Sequence, residues 1–332
     1  MSQLRLDPLT GRWVVVSTHR STRARAFRSA LPLDTDPDRP CPFCPGNEED
    51  TPAALVTYGP DGAWLVRVVP NLYPAFERPA AMAVSHLGPV FTQARASGIH
   101  EVLVFSPEHT ASWADLDDAQ VDLVTTAIRD RVTDHSAKGG LRYSQVIVNS
   151  GRDAGASIAH PHAQLLGMPL VPRELADEQA GFARFEGSCL LCTTVGTEDV
   201  QGYRVVHSDD EVSVFCPFWS GSPYEMLVVP RNHGSHLHRA PDADVLAVGR
   251  AVRTALVRLR GLVGEVAYNL IFHSAPYRAA GLYHWHVHIV PKLTTPAGFE
   301  FGTGMSINVV APEAAAEDLR QVPDRAVVGP TG

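Results

Sequence analysis

Two CxxC pairs and two histidine-rich runs hold most of the residues equipped for chemistry. Cys41 and Cys44 lie in CPFCPG, and Cys189 and Cys192 in CLLC. HPHAQ contributes His160, His162 and Gln164, and HWHVH contributes His284, His286 and His288. Zinc takes thiolate and imidazole ligands in a tetrahedron, usually two of them from one tight CxxC turn. Cys41, Cys44, His109 and His160 form a first such set, and Cys189, Cys192, His233 and His284 a second. The wide gaps before each histidine exclude a short zinc finger. Inert buried CxxC turns are the plainer alternative. A redox dithiol is disfavoured, because neither pair sits between a strand and a helix in a thioredoxin-like pattern. His286 and His288, with His273 thirteen residues before His286, are left over for a further metal.

On a strand, His160, His162 and Gln164 share one face. Upstream runs NSGRDAGASIAHPH, with Gly151, Gly155 and Ser157. Such a loop is expected to expose backbone N–H groups that cradle phosphate oxygens. If His160 is tied to zinc, His162 is presented beside that cradle. A neutral imidazole there is suited to attack phosphorus and form a covalent phospho-histidine.

The elements that must position these residues occur twice. His109 precedes His160 by 51 residues, and His233 precedes His284 by 51. Asn149 precedes His162 by 13, as His273 precedes His286. Each copy reads CxxC, apolar strand (EVLVFS or YEMLVV), histidine, amphipathic helix, strand (YSQVIV or YNLIF), then the histidine-rich strand. Asp115 is the expected N-cap of the first helix, with Leu116, Leu123, Val124, Ala127 and Ile128 on one side. The second helix carries Val245, Leu246, Val252, Leu256 and Leu259 opposite arginines. The cysteine pairs are offset by 148 residues and the histidines by 124, which leaves about 24 extra residues in the first copy, expected near Asn71 to Pro89. The chain therefore reads as two α+β units, residues 1–172 and 173–332, ending in a tail, PDRAVVGPTG, expected to fray.

Composition bounds the function. The 332 residues carry 28 Lys+Arg and 36 Asp+Glu, a net charge of −8, which argues against a nucleic-acid binder driven by bulk electrostatics. No apolar run reaches 18 residues. The N-terminal stretch has no secretory n-region, h-region or cleavage site, so a reducing cytoplasm is expected. Cys216, beside Val214 and Phe215, reads as a buried core thiol.

The segment AGASIAHPHAQ resembles the histidine-triad superfamily, and within it the galactose-1-phosphate uridylyltransferase family. The resemblance covers nearly the whole chain, from DPLTGRWVVVSTHRSTR through CPFCPG and HPHAQ to HWHVHIVP and PEAAAEDLR. It implies a duplicated histidine-triad-like fold, with two mostly antiparallel half-barrel sheets and flanking helices. It also implies that His162 takes up the nucleotidyl group and that Gln164 holds the phosphoryl oxygens. Arg20, Arg23, Asn71, Asn149, Gly155 and Ser157 match nucleotide and phosphate contacts. Arg25 and Arg28 read as surface. The first Cys₂His₂ set matches the family's zinc ligands, and the second matches a zinc found in other members. Glu178, His273, His286 and His288 match a site, found in part of the family, that accepts zinc or iron. A homodimer is the expected assembly.

Gln164 stands where histidine-triad hydrolases carry a third histidine, which serves to protonate a poor leaving group. A sugar phosphate leaves as a stable anion and needs no such proton, so Gln164 favours transfer between phosphates over hydrolysis. The course implied is ping-pong: UDP-glucose loads His162, and galactose 1-phosphate takes the uridylyl group. The sugar-phosphate loop departs from that pattern. GFEFGTG places Thr303 and Gly304 where the better-known uridylyltransferases carry Tyr-Glu, and resembles the branch that includes ADP-glucose phosphorylase. Phe299 and Gly302 are the sugar-phosphate contacts expected there. The alternatives are an ADP-sugar or dinucleoside polyphosphate phosphorylase or adenylyltransferase using the same histidine, and a zinc-stabilised nucleotide-binding protein without activity. HWHVH, whose upstream loop HSAPYRAAG has only Gly281 and where His273 takes the place of Asn149, is not expected to be a second catalytic site.

Overall fold

A computed structural model describes residues 2–18, 40–60 and 63–323. The chain opens with a hairpin, β1 (Gln3–Leu6) and β2 (Trp13–Val16), and continues with β3 (Val56–Tyr58) and β4 (Val66–Pro70). Next come β5 (Val84–Leu87), β6 (Phe91–Ala94) and β7 (Ile99–Val104), then helix α1 (Asp118–Ala137), β8 (Tyr143–Ser150) and β9 (His162–Met168). Two helices, α2 (Arg173–Arg184) and α3 (Leu190–Gln201), lead into β10 (Val205–Ser208), β11 (Val212–Phe215) and β12 (Met226–Pro230). Helix α4 (Asp242–Val263), β13 (Tyr268–His273) and β14 (His286–Pro291) follow. The chain then runs through α5 (Gly298–Thr303), β15 (Ser306–Asn308) and α6 (Pro312–Arg320).

Alternation along two strands explains how the site is displayed. In β9, Ala163 and Leu165 are fully buried against the helices, so His162 and Gln164 emerge on the other face. In β14, Val287 and Ile289 do the same, and His286 and His288 emerge. Helices α1 and α4 cover the first face with Val121, Val124, Ile128, Val248, Val252 and Leu256. The residues first to cap are not those expected: Leu116 is extended, Asp115 closes a short 3-10 turn with Ser112, and Asp117 caps α1 by accepting from Gln120 N at 2.8 Å.

The two halves join edge to edge. Among the described residues, ten strands form one antiparallel sheet in the order β10–β11–β12–β14–β13–β8–β9–β7–β4–β3. Its middle is the β8–β13 pair, where Ile147 stands opposite Ile271. These two residues are 124 apart, the offset between His162 and His286, so a local two-fold axis runs through the seam. The covering helices cross on the same axis: Thr125 meets Gly249, again 124 apart. A Cβ at Gly249 would lie 2.4 Å from Thr125 Cγ2, so only glycine permits this approach. Most of the extra residues of the first half fall where expected. Residues 71–98, including the exposed β5–β6 hairpin, separate β4 from β7, whereas residues 216–225 separate β11 from β12.

A small sheet, β1–β2–β15, ties the two ends of the chain together. Buried Arg5 there pairs with Glu313 of α6 at 3.0 Å.

Candidate active site and metal centres

The first CxxC turn and the lead-in to β9 meet on the open face of the sheet. Cys41, Cys44, His109 and His160 converge, with their ligand atoms all within 4.8 Å of one another. Cys44 Sγ lies 3.3 Å from His109 Nδ1 and 3.6 Å from His160 Nδ1. A tetrahedral zinc would set such N···S separations at roughly 3.5 Å, so the donor set fits. His160 donates from Nε2 to the Ser106 carbonyl at 2.7 Å, which fixes its tautomer and leaves Nδ1 as the donor atom toward the cluster. Burial, with Cys41 close by, pushes the Cys44 thiol up to about 11, and burial with neighbouring His109 and His162 pushes His160 down to about 4. The His160 ring thus carries no positive charge to oppose a bound cation.

The second copy repeats this geometry. Cys192 Sγ lies 3.6 Å from His233 Nδ1 and 3.4 Å from His284 Nδ1, and His284 donates from Nε2 to the Pro230 carbonyl at 2.9 Å. In both copies the ligating histidine precedes the strand: β9 starts at His162 and β14 at His286.

His162 is 6% exposed at the base of a cleft of about 970 Å³. Its Nδ1–H donates to the His160 carbonyl at 2.8 Å, so Nε2 keeps its lone pair. Burial holds its imidazole below the ordinary histidine range, against the opposing effect of the His160 carbonyl, so the ring is neutral near pH 7. Phe43, from the CxxC turn itself, packs edge-on against the ring with centroids 5.3 Å apart. The turn that gathers Cys41 and Cys44 therefore also braces His162.

Gln164, Asn71 and Ser157 line the cleft with His162. Gly155 and Asn149 do not. Gly155 has a left-handed backbone (φ 87°) that closes a tight turn, and the N–H groups of Ala154, Gly155 and Ala156 bond back to the Gly151 and Arg152 carbonyls. The loop is less a cradle of free N–H groups than a rigid bend that delivers Ser157 and Ile158 to the cleft wall. Asn149 accepts from Asn269 across the central seam at 2.8 Å. Phe299 and Gly302, on α5, are exposed and do not line the cleft within this chain. Arg20 and Arg23 lie outside the described residues.

Sequence reasoning missed His100 and Phe43. His100, on β7, accepts from Ala75 N–H at Nδ1 (3.1 Å) and places Nε2 2.9 Å from Gln164 Oε1. Only the cross-strand register, with Val102 opposite Gln164 and Val104 opposite His162, brings it there.

The third cluster fills the matching place in the second half. Glu178, from α2, lies 2.7 Å from His273 Nδ1 and accepts from the Tyr283 hydroxyl at 2.5 Å. His286 donates from Nδ1 to the His284 carbonyl at 2.8 Å, as His162 does to His160. Its bare Nε2 then faces His288 Nε2 at 3.1 Å. Burial pushes both rings down to about 3, with His273 adding to the effect. Burial opposes charge on Glu178 as well, but the neighbouring histidines, His273 foremost, together hold the carboxyl below its ordinary range. Two neutral ring nitrogens converging beside a buried carboxylate suit a cation such as zinc or iron. Glu178, His273 and His286 are each under 9% exposed, and His286 is fully buried where His162 lines the cleft.

A duplicated sheet with His162 open to a cleft and Cys/His clusters that could hold a metal defines a histidine-triad nucleotidyltransferase. Residues 1–172 match the family described as Galactose-1-phosphate uridyl transferase, N-terminal domain, and residues 199–295 match the HIT domain. The chain belongs to the galactose-1-phosphate uridylyltransferase family. It is 32% identical to an ADP-glucose phosphorylase from Arabidopsis thaliana, over 96% of this chain and 93% of that one. It is 27% identical to a galactose-1-phosphate uridylyltransferase from Thermotoga maritima, over 97% and 98% respectively. The crystal structure of the Arabidopsis thaliana ADP-glucose phosphorylase with bound ADP-glucose superimposes with a TM-score of 0.83 at 28% identity, covering 97% of this chain and 99% of that one. A uridylyltransferase structure gives 0.74 at 27% identity, covering 96% and 98%. No helix among the described residues is long and apolar enough to cross a membrane.

Proposed function

We propose that the protein transfers a nucleotidyl group between phosphates by a ping-pong route through a covalent adduct on His162. The observation that carries this reading is the imidazole itself, held by the His160 carbonyl so that a neutral Nε2 lone pair faces the cleft. The Nε2 lone pair attacks the α-phosphorus of a nucleotide sugar. The bond from that phosphorus to the bridging oxygen breaks, and the sugar phosphate leaves with the electron pair. A phosphate oxygen of the acceptor then attacks the same phosphorus and restores the free imidazole. Gln164, Asn71, Ser157, Arg20 and Arg23 are assigned to the phosphates and nucleoside. Asn149 and Gly155 hold the loop that carries Ser157.

In the uridylyl reading, UDP-glucose is the donor and galactose 1-phosphate the acceptor. A second reading, with ADP-glucose as donor, is favoured by the 32% identity to an ADP-glucose phosphorylase and by the second Cys₂His₂ cluster. Cys41, Cys44, His109 and His160, and likewise Cys189, Cys192, His233 and His284, would hold zinc, and Glu178, His273, His286 and His288 zinc or iron. Such ions supply cross-links that fix the strand lead-ins. The units 1–172 and 173–332, a reducing cytoplasmic setting and a homodimer complete the reading. All five cysteines are free thiols, and Phe299 and Phe301 are exposed outside the cleft, where they are open to a second copy.

The test is intact-protein mass after incubation with UDP-glucose or ADP-glucose. Gain of a uridylyl or an adenylyl group decides between the two donors. With His162→Ala, neither adduct forms and turnover falls by at least about 10⁴-fold. Normal turnover in that variant would sink the mechanism.

A further inference from the structure

The geometry points to His100 as the positioning residue that fixes which end of the Gln164 carboxamide faces the reacting phosphoryl group. The inference rests on the nucleotidyl-transfer reading, because it concerns what Gln164 offers to that group.

The tautomer of His100 follows from its partners. Ala75 N–H can only donate, and it points at Nδ1 from 3.1 Å. A neutral imidazole whose Nδ1 accepts must carry its proton on Nε2. That Nε2–H faces Gln164 Oε1 at 2.9 Å and donates to it. Asn71 Nδ2 also lies 3.1 Å from Nε2, but a nitrogen that bears the proton cannot accept from an amide. Gln164 thus has its carbonyl end occupied, and its NH₂ end remains for the cleft.

The orientation matters because the two ends of a carboxamide have opposite polarity. The NH₂ end donates to anionic phosphoryl oxygens, and the carbonyl end repels them. Nothing in Gln164 itself chooses between them, since the two ends are nearly the same shape. The choice comes from a strand away: His100 is the diagonal neighbour of Gln164 across the β7–β9 pair, where His100 stands opposite Leu166. His100 is itself held at two points. Its Nδ1 accepts from Ala75, and its backbone carbonyl accepts from Asn71 N at 2.8 Å. The cleft-wall segment 71–75 therefore sets the imidazole, and the imidazole sets the amide.

The test is a double-mutant cycle on the zinc-loaded full chain, with kcat and KM measured for the nucleotide sugar that forms the adduct. In the Gln164 background, His100→Ala and His100→Phe each lower kcat by roughly 10–10²-fold and leave KM within about threefold. In the Gln164→Ala background, the same changes cost less than about twofold, because a residue that acts only through Gln164 has nothing left to orient. His100→Gln, which keeps an N–H donor on the same side, recovers part of the loss. Thermal melts of each variant check the fold, and His100→Phe preserves the ring's volume if His100→Ala does not fold. An equal cost in both backgrounds would overturn the inference and leave the transfer reading intact. A Gln164→Ala variant with undiminished kcat would also overturn the inference, whereas failure of the parent protein to form any nucleotidyl adduct would overturn the transfer reading itself.

Discussion

His162 and His286 have the same local structure and opposite surroundings. Each is the first residue of its strand, and each donates from Nδ1 to a histidine carbonyl two residues earlier, at 2.8 Å. Each follows a histidine of a Cys₂His₂ cluster. In the first half the freed Nε2 meets a cleft and a neutral amide donor, Gln164. In the second it meets His288, with Glu178 and Tyr283 closing the space. The backbone device that exposes a lone pair is thus indifferent to its use. The first copy leaves that lone pair beside a cleft, and the second packs it against a histidine and a buried carboxylate.

The widest gap between the copies should appear on removing the two histidines. His162→Ala eliminates the adduct, whereas His286→Ala forms it at a rate per folded molecule within about tenfold of the parent. The second variant pays instead in stability, by about 2–4 kcal/mol, because Glu178 and His273 lose a buried neighbour. Adduct formation measured beside denaturant melts reads both. Loss of the adduct in well-folded His286→Ala protein would collapse the distinction.

The zinc-type clusters sharpen the comparison at a smaller scale. Cys44→Ser and Cys192→Ser should each lower stability by about 3 kcal/mol, or Tm by roughly 4 °C. Only Cys44→Ser should also slow adduct formation, by roughly 10–10²-fold, because Phe43 in the same turn braces His162. Equal kinetic losses in the two variants would mean that this bracing is irrelevant.

The effect with no kinetic counterpart is in acid. Buried Glu101, of the first half, accepts from Arg131 at 2.8 and 2.9 Å and lies 3.2 Å from His135. Burial alone would raise its carboxyl, but His135 and Arg131 outweigh burial and hold it at about 2. A depressed folded-state value means stability present above the unfolded value near 4.5 and lost as pH falls toward 2, on the order of 3 kcal/mol. Glu101→Gln should be less stable at pH 6 and flatter between pH 5 and pH 3 in urea melts. An unchanged acid slope would remove Glu101 from the account.

What could be read along the chain was what is written locally or at a fixed period. The CxxC turns, the 51-residue spacings and the alternating histidines announce metal clusters and a repeat, and the structure brings those residues together. Glu178 was legible only through family resemblance, because it stands on α2, apart from the strands that carry its partners. His100 was not legible at all. Its meeting with Gln164 depends on the register of β7 against β9, which is set by apolar residues on the opposite face of the sheet. The Gly-rich loop misled for a different reason. Its glycines suggest exposed N–H groups, whereas the tight turn closed by Gly155 uses those of Ala154, Gly155 and Ala156 internally.

The seam at Ile147 and Ile271 has one further consequence. Strand pairing across it is that of a symmetric dimer whose subunits have been spliced into one polypeptide. Each half, severed from the other, would carry a raw sheet edge, β8 or β13, together with an uncovered helix face. Such an edge is a template for its own kind: β8 could lie against a second β8 with Ile147 on Ile147. Covalent linkage reserves each edge for an unlike mate.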